Sequence, residues 1–136
     1  MERAVLRERF TEIVKQLFDQ RIRLAQNRLK RKRAEIRMRD VTIHIAVAQA
    51  NVKMAVATET LSDGKSKYPN ETLRKGETEK RLAEDIRYNH WLKSEKRVDR
   101  SLLRMQANEE VSIAEIKLNE SLEVLYASDL RKDEQI

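Results

Sequence analysis

Asp63-Gly64-Lys65-Ser66-Lys67-Tyr68-Pro69-Asn70 is the stretch of the 136-residue chain in which helix-breaking residues are concentrated. Asp63-Gly64 offers a turn that tolerates positive φ, and Pro69 forbids Tyr68 from continuing a helix. Asn70 is suited to cap a following helix, with Glu71 favourably placed in its first turn. The stretch therefore reads as a hinge, and the rest of the chain as two arms around it.

The composition agrees with long arms. Charged residues make up 38% of the chain and aromatic residues 4%, with two Gly and one Pro, too few turn formers for a sandwich or an α/β domain. The expected class is all-α: two long helices forming a coiled-coil-like antiparallel helical hairpin, residues 1–136 being a single domain. The expected bounds are helix 2–61, hinge 62–70, helix 71–130 and a frayed tail 131–136. Because paired helices bury only a narrow seam, self-association into a homo-oligomer is expected.

In the first arm, Leu6, Phe10, Ile13, Leu17 and Leu24 recur at helical spacing, with no Pro or Gly from Glu2 to Thr60. A continuous helix of that length would extend about 90 Å. Residues 41–47 alternate like a strand, yet helical spacing persists through them on two tracks. Met38, Val41, Ile45, Ala48, Val52 and Ala55 form one; Ile43, Val47, Ala50, Met54, Ala57 and Leu61 form the other, nearly opposite. One track can face the second arm, and the other, from Ile43 to Ala57, is the expected oligomer interface.

In the second arm, Gly76 is the one weak interior position. Leu82, Ile86, Val98, Leu102 and Met105 supply an apolar stripe, and Val111, Ala114, Leu118, Leu122 and Leu125 continue it after a slip of phase. Folding the arms about Lys67 pairs Phe10 with Val124, Ile22 with Val111, and Ile45 with Tyr88 and Trp91. It also sets Arg3, Arg7, Arg9 and Lys15 beside Glu115, Glu120, Glu123 and Asp129.

Function is read chiefly from charge. The chain carries a net +6 with a pI near 9.7, and seven of the twelve residues from Arg28 to Arg39 are basic: Arg28, Lys30, Arg31, Lys32, Arg33, Arg37 and Arg39. In the expected pairing Lys93, Lys96, Arg97, Arg100 and Arg104 lie beside them, making a basic band at the middle of the hairpin. Residues 106–136 hold eight acids against three bases, so charge is segregated along the sequence. Phosphate backbones reward such density without a base code. A solvated helical face, an acidic protein partner, and the acidic end of another copy are the competing readings of the same residues.

Other constellations are weaker. Tyr88 and Trp91 could stack on unpaired bases, but core packing against Ile45 is the preferred reading. His44 and His90 could face each other, yet two imidazoles make too few ligands for a closed metal site. No nucleophile with a base, paired carboxylates or glycine-rich phosphate loop stands out, so neither enzyme activity nor a cofactor is expected. The absence of Cys removes disulfides and Cys-based zinc sites. Met1-Glu2-Arg3-Ala4 lacks the apolar core of a secretory signal and no apolar run is long enough for a membrane span, so a cytoplasmic, membrane-free protein is expected.

Asp63-Gly64-Lys65, Lys67-Tyr68, Asn70 and Arg74 resemble the hinge pattern of small uncharacterised helical-hairpin proteins encoded by bacteriophages and prophages, in which an Asp-Gly-Lys-x-x-Tyr-x-Asn segment precedes a long charged helix. The resemblance spans about twelve residues, and Pro69 stands where a small polar residue is usual. It implies a hairpin accessory to phage DNA metabolism or recombination, located in the host cytoplasm, and it carries over no catalytic residue. The preferred expectation is a nonenzymatic nucleic-acid-binding accessory protein. The alternative is a scaffold or inhibitor whose basic band docks an acidic protein.

Overall fold

The computed structural model describes residues 2–134 and is all-helical. Three helices follow one another: α1 (Arg3–Thr58), α2 (Glu71–Glu84) and α3 (Ile86–Glu134). Among the described residues no β-strand forms. Residues 41–47, which alternate like a strand, lie within α1. Tertiary contacts divide the chain into two compact units, where the length alone suggested one domain. Unit 1 comprises the described residues up to Arg33 with those from Leu102, and unit 2 is Ala34–Ser101.

The expected single second arm is broken, and Asp85 breaks it. Its backbone is extended, at φ −77° and ψ 114°, so α2 ends there. Its carboxylate then accepts a 2.9 Å bond from the Tyr88 amide, capping the start of α3. The Asn89 amide nitrogen donates to the carbonyls of Ala83 and Asp85, which serves the last turn of α2. Gly76, the expected weak point, lies inside α2 without interrupting it.

The hinge opens three residues earlier than expected. Thr58 closes α1, and residues 59–67 form a small looped ribbon with a Thr60–Ser66 bridge. The Leu61 amide donates to the Lys65 carbonyl at 2.8 Å and the Lys67 amide to the Glu59 carbonyl at 3.0 Å. Gly64 takes the left-handed conformation, φ 83°, that the Asp-Gly turn calls for. Asn70 starts α2 by accepting a 2.8 Å bond from the Leu73 amide. At the far end α3 continues to Glu134, so 131–134 are helical where a frayed tail was expected; residues 135 and 136 lie outside the described ones.

A seven-residue repeat organises burial within both long helices. On α1, Leu6, Ile13, Gln20, Asn27, Ala34, Val41 and Ala48 recur every seven residues, as do Phe10, Leu17, Leu24, Arg31, Met38, Ile45 and Val52. All are buried or half-buried. On α3 the repeat runs through Trp91, Val98, Met105, Ser112, Asn119 and Tyr126, and through Glu95, Leu102, Glu109, Ile116, Glu123 and Leu130. No slip of phase occurs between Met105 and Val111. The expected continuation through Val111, Leu118 and Leu125 is instead an exposed face, because the seam admits Glu109, Ser112, Asn119 and Glu123.

In unit 1, Leu17, Leu24 and Ile116 form a buried cluster with Ile13 and Ile113 packed against it. Burying a leucine side chain stabilises by about 1.5–3 kcal/mol, so this cluster is the main apolar anchor of the unit. Around it Asn119 donates to Gln20 at 3.0 Å, Arg21 lies 3.8 Å from Glu120, and Arg28 bonds Glu109. In unit 2, Val41, Ile45, Val56, Leu82 and Val98 are buried, His44 stacks on Trp91, and Gln49 donates to the Tyr88 hydroxyl at 3.2 Å.

These contacts correct the pairing expected from folding about Lys67. Partners on the second arm lie further along the chain, by one residue for His44–Trp91 and by five for Gln20–Asn119. Ile22, Val111 and Val124, assigned there to apolar pairs, are exposed. The seam itself also differs: apolar spacing selected Val111, Leu118 and Leu125, whereas the structure buries Glu109 and half-buries Asn119, each bonded to a polar partner on α1.

Candidate nucleic-acid interface

Helical phase sorts the basic residues into structural and available ones. Arg31 occupies a seam position and Arg28 borders it, and both turn to the carboxylate of Glu109. The distances are 2.6 Å from Arg31 Nη1 to Oε2 and 3.1 Å from Arg28 Nε to Oε1. Glu109 is 7% exposed. A buried carboxylate needs compensating charge, and these two guanidinium groups provide it. Arg28 and Arg31, expected as phosphate contacts, are therefore committed to the fold of unit 1.

Lys30, Lys32, Arg33 and Arg104 of unit 1 are exposed and make no ion pair among the described residues. The same holds in unit 2 for Arg37 and Arg39 on α1 and for Lys93, Lys96, Arg97 and Arg100 on α3. Within unit 2 the stacked His44–Trp91 pair fixes the level of the two helices. Arg39 precedes His44 by five residues and Lys96 follows Trp91 by five, so each lies about 7.5 Å along its helix from that pair.

The rings at this level are structural. His44 and Trp91 lie 4.1 Å apart and 2° from parallel, while His90 meets Trp91 edge-on at 5.6 Å. His44 also stands 3.6 Å from Asp40. Trp91 thus packs against imidazole, and no group of three His, Cys, Asp or Glu able to hold a metal occurs among the described residues. No described helix is long and apolar enough to cross a membrane.

A charged lock at the hinge escaped the sequence reading. Glu59 accepts from both Arg81 and Lys67, the latter at 3.0 Å, and Arg81 also bonds Glu77 at 2.9 Å. Hydrogen bonds from Arg81 first, then Lys67, hold the Glu59 carboxyl below its ordinary range. Its bond to Glu59 raises Lys67. A carboxyl depressed on folding contributes stability above its unfolded value and loses it as pH falls through the folded value. The loop should therefore stay closed at neutral pH and loosen in acid, as pH falls below the ordinary carboxylate range. Hydrogen exchange of the Lys67 and Arg81 amides should show protection falling with acid, and Glu59→Gln should flatten that dependence. Nearby, a groove of about 570 Å³ is lined by Lys53, Ala57, Glu71, Arg74, Glu79 and Leu82 among others.

The track assigned to an oligomer interface, Ile43, Val47, Ala50, Met54 and Ala57, is exposed along α1. Val41, Ile45, Ala48 and Val52 of the other track are buried or half-buried. Comparison of the chain with protein-family models, with curated proteins and with solved structures finds no match.

Proposed function

We propose that the chain is a nonenzymatic, cytoplasmic nucleic-acid-binding accessory protein, built as an antiparallel helical hairpin and working in more than one copy. The observation that carries the reading is the set of exposed cations in unit 2 with no acidic partner among the described residues: Arg37, Arg39, Lys93, Lys96, Arg97 and Arg100. Lys30, Lys32, Arg33 and Arg104 in unit 1 are further phosphate contacts. Such cations gain free energy by displacing the ions condensed on a phosphate backbone, and they need no base-reading geometry. The resemblance of the hinge to phage helical hairpins supports a role accessory to DNA metabolism.

Mobility-shift titration against single- and double-stranded DNA and RNA at two salt concentrations tests this. Binding should weaken log-linearly with salt. Lys96→Glu/Arg97→Glu should reduce affinity more than tenfold and lower the duplex-DNA salt slope by about 0.9 per contact removed. Affinity unchanged by that pair of reversals would remove the proposed patch. Capture of an acidic protein, with no nucleic-acid shift, would favour the scaffold reading.

A further inference from the structure

The exposed apolar faces fall where a paired helix ordinarily carries polar residues. Counting from the buried seam of α1, the position farthest from it in unit 2 is held by Ile36, Ile43, Ala50 and Ala57, with Val47 and Met54 beside them. Ile36 and Met54 are 64% and 66% exposed. Asp40 is the polar member of this stripe. In unit 1, the outer face of α3 carries a comparable one: Ala107, Val111, Ala114, Leu118 and Leu125, at alternating spacings of three and four with Ser121 completing it. Val111 and Leu118 are 57% and 63% exposed. Each stripe has the spacing of a second coiled-coil seam, and both are exposed among the described residues.

Their borders differ in charge. Arg37, Arg39 and Lys53 flank the α1 stripe. Glu110 and Glu115, with Lys117, flank the α3 stripe, in the acid-rich part of the chain. Two α1 stripes brought together would set cations against cations, whereas α1 against α3 sets opposite charges at the borders. Border charges of this kind decide which helices pair.

We infer that the α1 stripe of one copy docks on the α3 stripe of a second copy. The contact joins two different surfaces, so a pair held by it leaves the α3 stripe of one copy and the α1 stripe of the other unused, and assembly proceeds past the dimer to a ring or a filament. The inference rests on the self-association proposed above and adds which surfaces meet.

The test follows the mass of the full chain by light scattering and sedimentation over a broad concentration range without nucleic acid. Wild type should grow in mass with concentration. Arg37→Glu/Arg39→Glu/Lys53→Glu and, separately, Glu110→Lys/Glu115→Lys should each weaken association by about tenfold or more while helical circular dichroism is kept. Mixing the two variants should restore assembly, since each then offers the charge the other has lost. A wild type that stays monomeric overturns both this pairing and self-association. A dimer ceiling untouched by Glu110→Lys/Glu115→Lys overturns the pairing alone and leaves self-association standing. Failure of the mixture to recover, with both variants helical, also overturns the pairing.

Discussion

Leu17→Ala is expected to lower folding stability by about 3 kcal/mol, the lower part of the range for a buried leucine. Leu17 is 1% exposed and sits with Leu24 and Ile116 at the centre of the apolar cluster in unit 1. Truncation removes the transfer free energy of the lost carbons and leaves a void. Two packed helices with solvent on their flanks can close part of such a void, which places the cost below the largest values seen in thick cores. The neighbouring Phe18 is the internal control. It is the larger side chain but 65% exposed, so Phe18→Ala should cost less than about 0.5 kcal/mol. Urea unfolding gives both values as shifts of midpoint at unchanged slope. If Phe18→Ala proved the costlier change, the buried seam would lie on the wrong side of α1.

Glu109→Leu should cost about 2 kcal/mol, for a different reason. Removing one member of a buried ion pair usually costs about 3–5 kcal/mol, because the surviving charge has lost both water and partner. Here the side chains of Arg28 and Arg31 are 50% and 29% exposed, so water recovers part of that loss. Arg28 should therefore be the lesser partner. Arg31→Leu/Glu109→Leu should cost less than the sum of the two single changes, since matched apolar residues can replace an ion pair at little net cost. A double-mutant cycle isolates the coupling. A neutral Glu109→Leu would mean that the carboxylate lies outside the seam.

What sequence pattern could reveal follows from which forces act locally. The positive φ of Gly64 and the capping role of Asn70 depend on a few neighbouring atoms, and both are legible from residue type. The helical state of 41–47 was also legible, because the three-then-four spacing outlasted the short alternation. Two features were not. Asp85 divides the second arm by caps on both sides, yet an aspartate within a charged run gives little warning of it. Glu109, Ser112, Asn119 and Glu123 complete the α3 seam, and a count of apolar residues passes over them. Their burial depends on partners distant in sequence, such as Arg28 and Gln20.

The candidate site follows the same division. Exposure of Lys32, Arg33, Arg37, Arg39 and the basic residues from Lys93 to Arg100 agrees with a solvated or phosphate-facing surface. The loss of Arg28 and Arg31 from that set could be seen only once Glu109 was placed. The Glu59–Arg81 contact likewise joins residues across the hinge, and no spacing rule predicts it.

The extended backbone at Asp85 bears on how such a chain can diverge. In an uninterrupted helix, one inserted residue turns everything beyond it by about 100° and scrambles a seven-residue repeat. Because α2 is closed and α3 is opened afresh at a single non-helical residue, insertions or deletions before Asp85 can alter the length of α2 without re-phasing Trp91, Val98 and Met105. The break at Asp85 thus makes the phase of the long helix independent of the length of the short one.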